Sequence, residues 1–204
     1  MKKLLIIMVV IGCIWIGNVQ AKEIDLSVTL SGGYDQGIWK SGICPNVTGT
    51  LREENIVFIP SIQIKYNRWK LQPTVEINYG YENFNFSNWE QYAHVSKTSY
   101  TLLGGLSYQF QPFSVYALAG ITHIEMKAGL IETLPNPMLN HGNAKITENL
   151  LVFKIGAYKL WDIWKVKVGP EISCNIFPKA YGFERCRNFS TNNIVPSLGL
   201  RMQW

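Results

Sequence analysis

Three side chains that could act together as a catalytic site are Ser99, His123 and Glu125. His123 and Glu125 are two residues apart, so in a β-strand they share one face, and Ser99 belongs to the strand-like segment before them. A histidine beside a serine can take the hydroxyl proton and activate the oxygen as a nucleophile. Because segments rich in serine and threonine bring such pairs together by chance, we expect no enzyme activity and keep catalysis as the alternative.

Charged residues of both signs lie on the otherwise polar faces of the strand-like segments. A charge that is removed from water must be paired or hydrated, because its desolvation is costly. Opposite charges on neighbouring strands therefore predict a network of ion pairs in the protein interior. The predicted network contains Asp25, Lys65, Glu76, Glu82, Lys154, Lys165, Lys167, Glu171 and Arg201.

The cysteines offer a disulfide but no metal site. In an exported protein one disulfide is expected, either Cys44–Cys186 or Cys174–Cys186. We favour the first, because Cys174 lies on an apolar strand face. No Cys-x-x-Cys pair occurs, so the sequence predicts neither a metal nor a cofactor.

The elements that must position these residues are β-strands. No stretch after residue 21 has the period of an amphipathic helix, whereas eight segments alternate apolar and polar residues. The connections alternate in length: three are tight turns at 67–69, 111–112 and 162–163, and four are long. The predicted strands are 24–34, 55–66, 70–83, 98–110, 113–126, 147–161, 164–177 and 194–204, and the long connections are 35–54, 84–97, 127–146 and 178–193.

Six of the eight predicted strands have one apolar face without charges. In the last strand this face runs from Ile194 to Trp204 at alternate positions, and strands one to four and seven show the same pattern. Four prolines fall inside strands, where each removes a ladder donor, so we expect bulges or rim positions there. These prolines are Pro60, Pro73, Pro170 and Pro196, the last two as neighbours. Strands five and six are ambiguous, and we assign Tyr116, Leu118, Ile124, Leu151, Phe153 and Ile155 to the apolar face.

Three features indicate that the apolar faces point outward into lipid. The polar faces hold small uncharged residues such as Ser27, Thr29 and Thr74, which suit a narrow lumen better than bulk water. Each segment is long enough for a tilted crossing of the hydrocarbon. Aromatic residues gather at the strand ends, as at the two interfaces of a membrane barrel. Those beside the short turns are Tyr66, Trp69, Tyr108, Phe110, Phe113, Trp161, Trp164 and Trp204, and those at the opposite ends are Tyr34, Tyr81, Phe84 and Phe177.

The N-terminus reads as a cleaved signal peptide, residues 1–21. Lys2 and Lys3 precede an apolar run, and Val19-Gln20-Ala21 predicts cleavage before Lys22. The remaining domain, 22–204, has 17 basic and 14 acidic residues and no dense basic run, so nucleic-acid binding is not expected. Charged residues make up 16% of the chain, against roughly 25% in soluble domains.

The signal peptide, the hairpin layout and the terminal segment Leu198–Trp204 together resemble the small eight-stranded outer-membrane β-barrels of the OmpX type and the OmpA transmembrane domain. The resemblance implies an all-β, eight-stranded, antiparallel up-and-down barrel with short periplasmic turns and long external loops. It also implies that the outer-membrane assembly machinery reads the final strand with its terminal aromatic.

From these observations we expect an integral bacterial outer-membrane protein with a structural or surface-contact role through its external loops. Its expected partners are membrane lipid, lipopolysaccharide, the assembly machinery and a host or surface ligand at the loops. A wide pore is not expected, because eight strands leave an interior barely wide enough for side chains. One alternative is a lipopolysaccharide-modifying enzyme, and another is a secreted lipocalin-like barrel with its faces inverted.

Overall fold

A computed structural model describes residues 23–41, 49–87, 91–132, 143–178, 189–191 and 193–204. The predicted signal peptide lies outside these residues, as do Cys44 and Cys186. All of the regular structure described is β-strand, and no helix among these residues is long and apolar enough to cross a membrane.

Ten strand segments form one antiparallel sheet. Their bounds are β1 Ile24–Ser41, β2 Gly49–Tyr66, β3 Leu71–Ser87, β4 Gln91–Phe110, β5 Phe113–Glu132, β6 Asn143–Tyr158, β7 Trp161–Ile163, β8 Val166–Ile176, β9 Phe189–Thr191 and β10 Ile194–Gln203.

These segments make eight barrel strands. The short β7 continues β6, because both pair with β8 in one register, from Phe153 opposite Ile176 to Trp161 opposite Val168. Likewise β9 and β10 both pair with β1. Since β10 also pairs with β8, the sheet closes on itself and has no free edge along the crossing. The predicted fold, a closed eight-stranded up-and-down barrel, is confirmed.

No bulge occurs at Pro60, Pro73 or Pro170, because their ladders keep one register, and Pro170 lies opposite Leu200 rather than beside Pro196. Pro196 fits the prediction of bulges or rim positions: the pairing with β1 shifts by two residues between Ser197, opposite Gly33, and Thr191, opposite Gly37. In the β2–β3 ladder the pairing skips Ile59 and Pro60 and then resumes unchanged. Pro60, Pro73 and Pro170 therefore each remove a ladder donor without shifting the strand, whereas Pro196 lies at a shift in register. The other pairings are Pro60 with Leu30, Pro73 with Leu106 and Pro196 with Cys174.

The wall of the barrel is apolar outside and polar inside. Ile62, Val75 and Leu200 are 41%, 49% and 49% exposed on the outer surface. Their alternating neighbours face the lumen, and Thr74 and Arg201 are only 2% and 1% exposed. This is the reverse of a soluble barrel, in which the apolar face would be enclosed.

Strand β5 is the exception to the predicted faces. Tyr116, Leu118 and Ile124 are predicted to face outward, but all three are buried inside the barrel. The outward positions instead include Ile121, which is 56% exposed, and His123. Both faces of β5 carry apolar residues, so alternation alone could not separate them. On β6 the predicted outward residues are exposed, namely Leu151, Phe153 and Ile155.

The strands also extend well beyond their predicted ends at the side of the long connections. Pairing continues to Ser41 opposite Gly49, Ser87 opposite Tyr92 and Gly129 opposite Asn143. Much of the predicted loops 35–54, 84–97 and 127–146 is therefore strand. A strand that projects beyond the hydrocarbon does not need an apolar outward face. The apolar–polar alternation therefore ends before the strand does, and the predicted strands are too short.

Candidate functional site: the barrel interior and its two ends

Four buried charges form a central network in the lumen, defined here as Glu76, Lys154, Glu171 and Arg201. Lys154 Nζ donates to Glu76 Oε1 at 2.6 Å and lies 3.7 Å from Glu171 Oε1. Arg201 Nη1 donates to Glu171 Oε2 at 2.9 Å. Two cations thus face two carboxylates, and each of the four residues is 2% exposed or less. The charges balance, which is the condition for burying them at tolerable cost.

Neutral side chains bind most of the remaining oxygens and donors of the central network, whereas Arg201 Nε has no hydrogen-bond partner among the described residues. The Tyr116 hydroxyl donates to Glu171 Oε1 at 2.6 Å, and Thr29 Oγ1 donates to Glu171 Oε2 at 3.0 Å. Arg201 Nη2 donates to Ser27 Oγ and Gln63 Oε1. The guanidinium also lies 4.1 Å from the ring centroid of Tyr158. These contacts tie strands together across the lumen and hold the charged groups in fixed positions.

Lys65 and Asp25 lie nearer the short turns. Lys65 Nζ donates to the Tyr158 hydroxyl at 3.0 Å and is 3.4 Å from Asp25 Oδ2. Two lysines that were predicted for the lumen network lie outside it. Lys167 is exposed at the mouth, 4.0 Å from the exposed Asp162, and Lys165 is exposed in the turn before β8. Both lysines occupy the same alternate positions as the lumen-facing residues of the strand. They are exposed because this part of the strand lies beyond the enclosed part of the barrel.

A second buried charge cluster lies toward the opposite end. Lys97 Nζ donates to Asp35 Oδ2 at 2.8 Å and is ion-paired with Glu82. Of these three residues only Glu82 was predicted to face the lumen, because Asp35 and Lys97 fell in predicted loops. Asp35 and Lys97 could have been found by extending the lumen-facing alternate positions of β1 and β4 beyond the apolar part of each strand.

Apolar side chains fill the lumen between and above the charges. Leu103, Tyr116, Leu118, Val152 and Tyr158 form one cluster, each 4% exposed or less. A cavity of about 30 Å³ lies beside the Lys97 cluster, which leaves room for roughly two waters. A wider recess of about 760 Å³ opens at the short-turn end. The lumen is thus packed over its middle and is not a wide channel. Further buried apolar residues are Val57, Ile59, Phe84, Val95, Ile124, Met126 and Val195.

The predicted catalytic set does not form. Ser99 faces the lumen and borders the small cavity, whereas His123 is exposed on the outer surface. The residue directly opposite Ser99 is Ile124, so the sheet itself separates the hydroxyl from the imidazole. His123 Nδ1 is instead 2.8 Å from Asn149 Oδ1, and Glu125 binds Lys127 and Lys145. The Ser99–His123 pairing is therefore wrong, because adjacent strands were matched without their register.

Of the three cysteines in the disulfide alternatives, only Cys174 is described. It is a free cysteine on the outward parity of β8, and its Sγ lies 3.9 Å from the Asn175 carbonyl oxygen. Within the described ranges no group of three or more His, Cys, Asp or Glu side chains could hold a metal ion.

Solved structures supply the comparison for this geometry. Ail, the attachment invasion locus protein of Yersinia pestis, in complex with the heparin analogue sucrose octasulfate, superposes with a TM-score of 0.50. The match covers 89% of this chain and 99% of Ail at 10% identity. This chain has the fold of the small outer-membrane barrels. No family profile and no curated protein matches the sequence.

Two further structures match less well. A major outer membrane protein of Thermus thermophilus has a TM-score of 0.48 at 10% identity, covering 88% of this chain and 99% of that protein. The outer membrane protease OmpT of Escherichia coli has a TM-score of 0.46 at 11% identity, covering 91% of this chain and 98% of OmpT. The superposition on Ail and the closed wall itself together support the fold.

The predicted interface aromatics collect on the outside of the barrel at the short-turn end. Trp69, Trp161 and Trp164 are 60%, 50% and 91% exposed. Tyr66 stacks edge-on against Trp69 with ring centroids 5.7 Å apart, and Tyr108 lies 6.1 Å from Phe110. Trp204, half-buried, closes the same end through its backbone N–H to the Leu26 carbonyl at 3.0 Å. At the opposite end Tyr34 and Tyr81 are exposed, but Phe84 is buried in the lumen and Phe177 packs against the apolar cluster.

Proposed function

We propose that this protein is an integral barrel of a bacterial outer membrane, closed to bulk solutes, that works through surface contact at its external end. The observation that carries the proposal is the inverted wall. Large apolar side chains cover the outer surface, and a continuous apolar surface of this size on a soluble protein would drive association.

The same observation removes the lipocalin-like alternative. A secreted ligand-binding barrel needs an apolar cavity and a solvated exterior, whereas here Glu76, Lys154 and Arg201 occupy the interior. The predicted Ser99–His123 pair does not support the enzyme alternative, because the two residues lie on opposite faces of the wall. The packed lumen also argues against a wide pore.

The orientation follows from the connections. Short turns of outer-membrane barrels face the periplasm, so the turns at 67–70, 111–112 and 164–165 belong on that side. The opposite ends of the strands, such as Ser41, Glu132 and Ile176, then lie on the external side. We propose that the signal peptide 1–21 is cleaved before Lys22, and that the assembly machinery recognises β10, which closes the barrel between β1 and β8.

The external end is the proposed contact surface, because a rigid scaffold with variable connections is where binding residues concentrate. Ail, the structural neighbour, was crystallised with a polysulfated sugar analogue. This supports testing an anionic glycan or lipopolysaccharide as a ligand of the external connections, although the two sequences are only 10% identical.

The proposal is tested by two measurements on the full-length protein. In detergent, the unheated and boiled forms are expected to migrate differently on a gel, because a closed barrel resists dodecyl sulfate until heated. An epitope inserted within 133–142 is expected to be labelled on intact cells, and the same epitope between Gln111 and Pro112 only after the outer membrane is opened. Equal mobility of the two forms, or labelling of both sites on intact cells, contradicts the proposal.

A further inference from the structure

The short-turn end carries cations that no carboxylate neutralises. Among the described residues the side-chain carboxylates there are Glu23, Asp25 and Asp162, which lie near Arg68, Lys65 and Lys167 at 4.0, 3.4 and 4.0 Å. The ammonium groups of Lys70, Lys159 and Lys165 have no such partner within the described part of the chain. This end therefore presents three uncompensated positive charges.

Each of these lysines lies close to an exposed tryptophan, two of them in ring contact and Lys70 by its place in the sequence. Lys159 Nζ lies 5.3 Å from the ring of Trp161 and 5.7 Å from that of Phe113. Lys165 Nζ lies 5.3 Å from the ring of Trp164. Lys70 follows Trp69 in the β2–β3 turn, where both side chains are exposed. An indole beside an ammonium suits the boundary between hydrocarbon and headgroups. The indole lies partly in the hydrocarbon, and the ammonium contacts the phosphate groups.

Trp164 is the first residue of the two-residue turn between Ile163 and Val166, a position where a tight hairpin requires a positive φ. Its φ of 59° is a left-handed conformation that costs a bulky residue about 1–2 kcal/mol, and closure of the hairpin offsets this cost. The side chain is 91% exposed, so the turn leaves the indole accessible to the surroundings of the protein.

The arrangement around the barrel identifies the kind of partner. The β2–β3 turn and the β6–β8 connection are separated by four strands in an eight-stranded ring, so the two groups lie on opposite sides. A ring of lipid can contact both sides at once, whereas one globular protein at one side cannot. Among the side chains described at the external end, by contrast, Lys127 and Lys145 share Glu125 at 3.1 and 3.2 Å, and Lys97 is enclosed with Asp35 and Glu82.

From these observations we propose that the short-turn end binds the headgroups of anionic phospholipids through a collar formed by Trp69, Lys70, Lys159, Trp161, Trp164 and Lys165. This inference rests on the proposed membrane insertion. It further specifies the class of lipid bound and the leaflet in which that lipid lies. Each ammonium donates hydrogen bonds to phosphate oxygens, and the indoles fix the depth of the barrel. By orientation the collar meets the periplasmic leaflet.

The test uses the full-length protein in vesicles of phosphatidylcholine with spin-labelled phosphatidylglycerol or spin-labelled phosphatidylcholine. Electron paramagnetic resonance measures the fraction of each lipid immobilised by the protein and hence the preference for the anionic lipid. Because a lysine near an anionic surface contributes about 1 kcal/mol, Lys159→Gln with Lys165→Gln is expected to lower the preference about 5-fold per lysine at low salt.

The matched control removes the same charge at the other end through Lys127→Gln with Lys145→Gln, and is expected to leave the preference roughly within twofold of the parent, since those lysines already share a carboxylate. Lys70→Gln, in an exposed turn on the opposite side, provides an independent variant and is expected to lower it about 5-fold. An unchanged preference in the Lys159/Lys165 and Lys70 variants, or an equal loss in the control, overturns the collar. Absence of immobilised phosphatidylcholine around the parent protein would instead contradict membrane insertion.

Discussion

The two faces of one barrel strand contact different surroundings, lipid outside and close-packed side chains inside. Leu102 and Leu103 show this most clearly. The two residues are adjacent and chemically identical, yet Leu102 is 58% exposed on the outer wall and Leu103 is 1% exposed in the lumen. On the outer wall, any apolar side chain of roughly the right size is tolerated, because fluid lipid chains adjust to its shape. Inside, each group must fit a fixed neighbour, because the interior is close-packed and its charges are paired.

The largest expected effect comes from breaking a charge pair inside the lumen. Arg201→Leu leaves Glu171 without its closest cationic partner, and removal of one partner of a buried ion pair costs about 3–5 kcal/mol. The free energy of unfolding, measured by urea titration in vesicles, is expected to fall by that amount. The control is Arg68→Leu, whose exposed pairing with Glu23 at 4.0 Å contributes less than about 1 kcal/mol. Similar losses in both variants would show that the central network is not structurally important.

The second prediction compares the adjacent leucines directly. Leu103→Ala is expected to lower the free energy of unfolding by about 2–5 kcal/mol, because the lumen cannot close over the space that the side chain leaves. Leu102→Ala should cost clearly less, since lipid chains flow into the vacated volume. Urea titrations of the two variants under the same conditions give both values, and a larger loss at Leu102 would reverse the assigned faces.

The third prediction probes the lipid face by depth. Leu106 is 48% exposed between the two aromatic belts, and an arginine near the middle of the hydrocarbon costs about 2–4 kcal/mol. Phe110, at the belt on the same strand, is the depth control, where an arginine is expected to cost about 0–1 kcal/mol. We expect Leu106→Arg to lower stability in vesicles by the larger amount. If Phe110→Arg were as costly as Leu106→Arg, the outer surface would not be graded by membrane depth.

The smallest expected effect concerns the strained turn. Trp164→Gly removes a left-handed non-glycine residue, whereas Trp164→Ala keeps the strain, so the glycine variant should be about 1 kcal/mol more stable than the alanine variant in detergent. Both lose the indole, so both should insert less tightly into vesicles than the parent protein. Thermal unfolding in detergent and vesicle partitioning give the two readings. Equal stability of the glycine and alanine variants would mean that the turn carries no strain.

The fold could be predicted from the sequence because the outer face of the crossing has to be apolar at every second residue. Strand β5 was misassigned because Ile121 faces outward and Leu118 faces inward, so neither face stands out. The Lys97–Asp35 contact was missed because the strands were ended where the lipid-facing pattern ended. The Lys154–Glu76 contact joins residues 78 positions apart, and its distance depends on strand register, which alternation does not fix.

The most direct test of the account is the accessibility of spin labels placed one at a time from residue 100 to residue 108 of β4, in a cysteine-free background in lipid vesicles. The account predicts that collision with oxygen, which concentrates in hydrocarbon, alternates with a period of two and is high at Leu102 and Leu106. A label at Leu103 should be shielded from both oxygen and a water-soluble nickel reagent. High oxygen accessibility at Leu103 with high nickel accessibility at Leu102 would contradict the inverted wall and the membrane location inferred from it.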